Sequence, residues 1–335
     1  MNGSFRWDDE PSVRQGTKAP LHHRPNRPET CPRDRCNRHD WTTCLAVFLV
    51  LCGLGAQPAG VAPEPAHEAN PVYAEALCDG VKLAGKTVRL PAPRLKDGMD
   101  ANQQRAAMLG VSGSERALDD LLRDSVTAPS VMQVHDLKTD EATVRLVDLW
   151  FVVRGDLAGL DPIKVAARTS GKAVEVGNMR FEDRLLTSEE LAPRGRSTLN
   201  GKDRSRWYSH LKARLLDRIE LEGTEEVEAS RSGESLVIAT RTDPAFDAPG
   251  PFANLWRSLD SEGRPGPDQP IGGGISYARI SRLVQPEGAL LVEMHAAFSE
   301  PEAWFQGAPI LRSKFAPIAQ DQIRRLRREL RKSRP

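Results

Sequence analysis

Glu293 and His295 are the residues of this sequence best suited to acid and base chemistry. They lie two positions apart in ALLVEMHAAF, residues 289–298. The alternation of this segment predicts a strand with Glu293 and His295 on one face and apolar residues on the other. A carboxylate beside an imidazole can act as general acid and base. The solvent-facing side of an ordinary strand has the same composition, so both interpretations stand.

Asp148 is a third candidate for catalysis. It shares a face with Trp150 in VRLVDLWFVV, residues 144–153, a segment that is apolar on both faces and is therefore expected to be a central strand. A buried carboxylate needs a partner. Asp148 is accordingly either one partner of a structural pair or a catalytic group.

The segment SEPEAWFQGAPILRSKF, residues 299–315, holds the densest group of bulky aromatic side chains in the domain. Aromatic rings beside cationic side chains can hold an amphipathic or anionic ligand, and they can equally attach the following helix to the sheet. The ligand-binding candidates here are Trp304, Phe305 and Arg312.

Motifs that would specify a reaction or cofactor are absent from the sequence. It contains no G-x-G-x-x-G, Walker loop, G-x-S-x-G or H-E-x-x-H, and we expect no cofactor. The glycine-rich PIGGGISY, residues 270–277, leads into a strand rather than a helix and so lacks the amides that bind phosphate. The potential zinc ligands Cys31, Cys36, His39 and Cys44 have unusual spacing, and no metal site is predicted.

A single long apolar run, TTCLAVFLVLCGLGAQPAG, begins at Thr42 in a chain that is 28% charged. Its apolar part, residues 44–56, is shorter than the ~20 residues that span a bilayer as a helix. A preceding basic segment and following small residues are typical of a signal peptide cut near Ala56 or Ala59. An uncleaved anchor, a buried helix and a lipid-modified Cys52 are the alternatives.

The rest of the N-terminal region follows from this interpretation. Residues 1–40 are predicted to be a disordered basic n-region that stays cytoplasmic, residues 41–60 the signal or anchor, and residues 57–71 a Pro/Ala linker. One α+β domain is expected over residues 72–335. Export to the periplasm or cell envelope follows, with inner-membrane attachment through residues 44–56 if the segment is retained. Cys78 would then be alone and unable to form an internal disulfide.

Periodicity predicts helices at both ends of this domain and strands between them. Two short helices are expected, one after an Asp100 cap and one after a Ser114 cap. The predicted strands are residues 86–90, 131–137, 144–153, 173–182, 218–228, 235–242, 277–284 and 289–298, mostly paired in hairpins. The insert at residues 187–205 receives no assignment.

A long helix is predicted to close the chain, with Pro317 in its first turn. One face is apolar and the other is rich in arginine. The basic face suits either an anionic partner or solvent, with cations near the C-terminal dipole. The whole chain has a net charge of +1, and no nucleic-acid partner is expected.

This order of elements resembles the helix-grip arrangement of the lipid-transfer and polyketide-cyclase superfamily. The resemblance implies a curved sheet that wraps a C-terminal helix and encloses a cavity; a plain antiparallel α+β sandwich is the alternative. We therefore expect an exported, non-enzymatic envelope protein that binds a lipid-like or small apolar ligand or another envelope component. The alternative is a hydrolase-type enzyme using Glu293 and His295.

Overall fold

The computed structural model describes residues 62–140, 142–305 and 310–332. The predicted n-region, the signal or anchor segment and the cysteines before Cys78 lie outside these residues. Within the described part of the chain, no helix has the length and apolar character needed to cross a membrane.

The described chain contains α-helices and strands, and the strands mostly follow one another in runs. The α-helices are α1 (Pro71–Ala74), α2 (Ala101–Ser112), α3 (Glu115–Leu122), α4 (Pro162–Thr169), α5 (Ser188–Leu191) and α6 (Ile310–Lys332). The strands are β1 (Val81–Leu83), β2 (Lys86–Val88), β3 (Val131–Lys138), β4 (Ala142–Arg154), β5 (Lys172–Val176), β6 (Met179–Leu185), β7 (Leu199–Asn200), β8 (Arg204–Leu215), β9 (Ile219–Arg231), β10 (Ser235–Thr242), β11 (Leu255–Ser258), β12 (Gln269–Pro270), β13 (Gly274–Arg282) and β14 (Ala289–Pro301).

The main sheet is antiparallel, with strand order β3-β4-β14-β13-β10-β9-β8-β6-β5. The predicted hairpins β3–β4, β9–β10 and β13–β14 are confirmed. β14 lies between β4 and β13, so the last strand joins the first hairpin to the rest of the sheet. A mostly antiparallel sheet with two short early helices and a long final helix is thus the architecture that the periodicity predicts.

The two faces of this sheet pack against different parts of the chain. The face that carries Val292 and Met294 of β14 packs with Ile323 and Leu326 of α6 and is called the helix face. The other face, called the N-terminal face, packs with α2, α3 and the segment before them; Leu291 of β14 lies there, in one apolar cluster with residues of α3. Each face of the central strands is therefore buried.

The caps of the two early helices are confirmed. The Asp100 side chain accepts hydrogen bonds from the backbone N–H groups of Asn102 and Gln103, at 2.8 and 2.9 Å. Ser114 accepts one from the backbone N–H of Ala117 at 3.2 Å. Such caps satisfy N–H groups that a helix cannot satisfy itself.

The last helix begins earlier than its sequence predicts. α6 starts at Ile310, so Pro317 lies inside it rather than in its first turn. Leu311 and Phe315 are buried before the proline and Ile318 after it. Burial of this continuous apolar stripe offsets the hydrogen bond that an internal proline removes.

The basic side of α6 is partly neutralised by its surroundings. Arg325 lies 2.9 Å from Asp321, and Arg331 lies 3.0 Å from Asp124. Arg327 is buried and donates to the backbone carbonyl of Val152 at 2.9 Å, which attaches α6 to β4.

Several other segments differ from expectation. Residues 173–182 form two strands, β5 and β6, because Gly177 adopts a φ of 62° at a turn between them. β2 pairs with β1 in a separate two-stranded sheet rather than opening the main one. β8, to which the sequence analysis assigns no strand, pairs along its whole length with β9.

The residues placed in the linker by their composition are packed where the structure describes them. His67 and Asn70 are fully buried. The two ring nitrogens of His67 lie 2.9 Å from the hydroxyls of Ser230 and Ser235. These long-range hydrogen bonds hold residues 62–70 against the N-terminal face, which composition alone does not reveal.

Candidate functional site

The three catalytic candidates converge on the N-terminal face. Pairing of β14 with β4 sets His295 opposite Asp148 and Glu293 opposite Trp150. His295 Nδ1 lies 2.5 Å from Asp148 Oδ1, and His295 Nε2 lies 3.0 Å from Glu293 Oε1. The imidazole thus bridges two carboxylates on neighbouring strands.

This group is buried and its polar atoms are occupied. Glu293 and His295 are each 1% exposed, so they do not form the solvent-facing side of a strand. Glu293 also accepts from the Trp150 indole N–H and from the backbone N–H of Arg94, both at 2.8 Å. Both nitrogens of His295 therefore have partners, and neither is available to a substrate.

The charge on His295 follows from these contacts. Burial by itself lowers the pKa of an imidazole, but the hydrogen bonds to Asp148 and Glu293 outweigh it and raise the pKa of His295 to about 9. The ring is therefore an imidazolium at neutral pH. An enclosed imidazolium that stays charged at neutral pH joins strands and is poorly suited to act as a general base.

Stability should fall as the pH rises from about 6.5 to 9. An imidazole whose folded pKa is raised to about 9 stabilises the fold fully below its unfolded pKa, and this contribution is lost as the pH rises through 9. We expect the free energy of unfolding to decrease by on the order of 3 kcal/mol across this window. Denaturant titrations at several pH values would measure it. His295→Gln should flatten this slope; an equal slope in the variant would contradict the assignment.

A cavity lies on the helix face, on the other side of the sheet from His295. It has a volume of about 100 Å³. Its wall is formed by strands from β6 to β14 and by the first turns of α6, and most of the lining side chains are apolar: Phe181, Leu211, Leu221, Phe298, Leu311 and Phe315. Two larger depressions, of about 380 and 660 Å³, are lined in good part by charged loop residues.

A few polar groups interrupt the apolar lining. They include the Glu225 carboxyl, the Thr240 hydroxyl and the Trp304 indole. Among the described residues, Thr240 Oγ1 and Trp304 Nε1 are buried without a hydrogen-bond partner. Buried polar atoms are nearly always paired. These two atoms are therefore free to form hydrogen bonds with a polar group of a ligand in the cavity.

Two of the three ligand-binding candidates, Trp304 and Phe305, lie together, and Arg312 lies apart from them. Trp304 is 5% exposed, lies edge-on to Trp256 with ring centroids 6.0 Å apart, and lines the cavity. Phe305 is buried in the same apolar cluster and, like Trp304, lies against the 660 Å³ depression. Arg312 is half exposed and forms an ion pair with Asp136 at 3.0 Å, away from the cavity lining.

Sequence reasoning missed Glu225, Thr240 and the neighbouring Asp183. They lie on β9, β10 and β6, respectively for Glu225, Thr240 and Asp183. The register of β6 with β8, of β8 with β9 and of β9 with β10 places all three side chains on the helix face. Without β8 the register between these strands is unknown. A charged residue inside the apolar alternation of β9 is the signal that could have drawn attention to Glu225.

A metal centre is not indicated by the geometry. Within the three described ranges, no group of three or more His, Cys, Asp or Glu side chains is arranged to hold a metal ion. Cys78 is partly buried and free.

Comparison with known proteins returned structural neighbours only. No family model matches the chain, and no curated protein matches its sequence. It is similar to the human StarD13 (DLC2) lipid transfer and protein localization domain, at 8% identity and a TM-score of 0.31, over 59% of this chain and 89% of that one. It is also similar to human STARD10, at 9% identity and a TM-score of 0.32, over 65% of this chain and 79% of that one. So few residues are shared that neither neighbour indicates a role for a residue of this chain.

Proposed function

We propose that this protein binds a small apolar or lipid-like ligand, without transforming it, in the cavity between the sheet and α6. The observation that carries the proposal is an apolar cavity that also contains buried polar atoms without partners among the described residues. Small-molecule sites characteristically combine apolar walls with a small number of polar groups that orient the ligand.

The size of the cavity bounds the ligand. One water needs roughly 10–15 Å³, and an engineered apolar cavity of about 150 Å³ in another protein binds benzene. A volume of about 100 Å³ thus suits a group of a few carbon atoms, such as a short chain or the end of a longer one. Burial of that group would supply the main driving force.

Hydrolysis by Glu293 and His295 is disfavoured by their surroundings. A general base needs a free nitrogen within hydrogen-bond reach of its substrate. Both nitrogens of His295 are hydrogen-bonded, and the ring is 1% exposed. The apolar cavity lies on the other face of the sheet.

Filling the cavity should abolish ligand retention without unfolding the protein. Ala296 lines the cavity on β14, and Ala296→Leu adds three carbons there. We expect native mass spectrometry of the purified protein to show a bound small molecule in the wild type and none in the variant. The free energy of unfolding should change by less than about 1.5 kcal/mol, because added volume occupies existing space.

A matched control adds the same atoms outside the cavity. Ala303 is exposed, and Ala303→Leu should retain the ligand. Equal retention by Ala296→Leu, or a wild type that carries no small molecule and binds none of a panel of short apolar compounds, would contradict the proposal.

We further propose that the protein acts outside the cytoplasm, in the cell envelope. Another envelope component is the alternative binding partner to a small ligand. The support is the apolar run at residues 42–60, preceded by basic residues. Fractionation followed by N-terminal sequencing tests this. We expect a membrane or periplasmic fraction, and a full-length chain confined to the cytosol would overturn it.

A further inference from the structure

The carboxyl of Glu225 is unusual among the charged groups of the sheet because it faces the cavity. Glu225 pairs with Ser209 of β8 and with Thr242 of β10, so its side chain projects from the helix face. Its neighbour Glu226 projects from the opposite face, where Arg241 Nη2 binds it at 2.7 Å. The Arg241 side chain thus projects from the face of the sheet opposite to that of Glu225.

Two other polar residues line the same cavity, and both are more than nine-tenths buried. Thr240 is 3% exposed and Trp304 is 5% exposed. Neither Thr240 Oγ1 nor Trp304 Nε1 has a hydrogen-bond partner among residues 62–140, 142–305 and 310–332. An indole N–H can only donate, whereas a hydroxyl can donate or accept.

Position brings Glu225 and Thr240 close together. Thr240 lies two residues from Thr242, the partner of Glu225, and on the same face. Such diagonal neighbours are about 7–8 Å apart between strands, within reach of a long side chain. One polar group on a ligand can therefore contact both.

The protonation of Glu225 adds a third donor. Burial, followed by the charge of Asp183, raises the pKa of Glu225 to about 8. Burial also raises the pKa of Asp183 to about 6, against a hydrogen bond from Ser209 that lowers it. At neutral pH Glu225 is a neutral acid that can donate a proton in a hydrogen bond.

We propose that the cavity receives a ligand with a carbonyl-type hydrogen-bond acceptor on a short apolar chain, and that Glu225, Thr240 and Trp304 donate to that group. This rests on the proposed ligand-binding function and names the chemical class of the ligand. An ammonium group has no acceptor for the Trp304 indole N–H. A carboxylate would meet the negative charge of Asp183. A ketone, aldehyde or ester offers only hydrogen-bond acceptors, which suit the donors of the cavity lining.

Among the described groups that flank Glu225, Asp183 carries a negative charge at neutral pH, and the others are neutral or ion-paired. β6 contributes Asp183, β8 contributes Ser209, and β10 contributes Thr242. Arg241 also lines the cavity but pairs with Glu226 and Glu75. α6 contributes the apolar Leu311 and Phe315.

The test measures binding of 2-hexanone, n-hexane and hexylamine to the full chain by ligand-observed NMR, at pH 6 and at pH 9.5. At pH 6 we expect 2-hexanone to bind about tenfold more tightly than n-hexane, the value of one net hydrogen bond. At pH 9.5 this preference should disappear, because ionised Glu225 no longer donates and repels the carbonyl oxygen.

Glu225→Gln keeps a donor that does not titrate, and it should preserve the preference for 2-hexanone at both pH values. Glu220→Gln, on the same strand but on the N-terminal face and paired with Arg257, should behave as the wild type does. Equal binding of 2-hexanone and n-hexane at pH 6, preferential binding of hexylamine, or a preference that still disappears in Glu225→Gln would overturn this inference and leave the ligand-binding function intact. Binding of none of the three probes would instead overturn the proposed function.

Discussion

Trp304→Ala should lower the free energy of unfolding by about 3–5 kcal/mol, as other large-to-small core substitutions do. The indole is 5% exposed and packs edge-on against Trp256. It belongs to one apolar cluster with Leu311 and Phe315 of α6. Its removal therefore weakens the attachment of α6 to the sheet and opens the wall of the cavity. The shift of the denaturant midpoint measures the loss of stability. Ligand retention by the same variant measures the contribution of Trp304 to the cavity wall.

Trp304→Phe is the matched variant for this prediction. It keeps an aromatic ring and removes an N–H that has no partner among the described residues, so the loss of stability should be less than about 1.5 kcal/mol. If Trp304→Ala kept the wild-type midpoint and lost only ligand binding, the side chain would be a surface contact rather than part of the core. If neither property changed, the segment would have neither role.

Asp148→Ala should destabilise the fold by about 3–5 kcal/mol, because it removes one partner of a buried charge. Asp148 lies 2.5 Å from His295, which is 1% exposed. Without Asp148, the imidazolium keeps only Glu293 as a counter-ion. Loss of this contact should also bring the pKa of His295 down from about 9, which histidine proton chemical shifts measured across the pH range would report.

Asp119→Ala is the control for the removal of a carboxylate. Asp119 pairs with Arg105 at 3.1 Å, but its side chain is 67% exposed, and exposed ion pairs add little to stability. We expect little change in its denaturant midpoint. Equal effects of Asp148→Ala and Asp119→Ala would show that the buried group does not hold β4 to β14.

The local sequence predicts six strands of the main sheet and the two early helices. Alternating residues predict β3, β9, β10, β13 and β14, a continuous apolar run predicts β4, and the caps Asp100 and Ser114 predict α2 and α3. The same alternation correctly groups Glu293 with His295 on one face. These features depend on neighbours within a few residues, so a pattern in one segment is sufficient to predict them.

Only the tertiary structure decides which face of a strand is buried. The pattern of β14 has polar residues on one side, which suits solvent as well as it suits a buried network. The face is covered because residues 91–94 cross it, where the backbone N–H of Arg94 reaches Glu293. A polar face is then stable, since nearly every donor has a partner.

The cavity depends on tertiary structure for the same reason. Glu225, Thr240 and Trp304 are 79 positions apart at most, and nothing in their local segments predicts that they share one wall. The register of β8, β9 and β10 and the placement of α6 bring them together. Register is set by long-range burial of whole strand faces, and this is why a charged residue in an apolar strand can be recognised as a cavity group only after the sheet has been assembled.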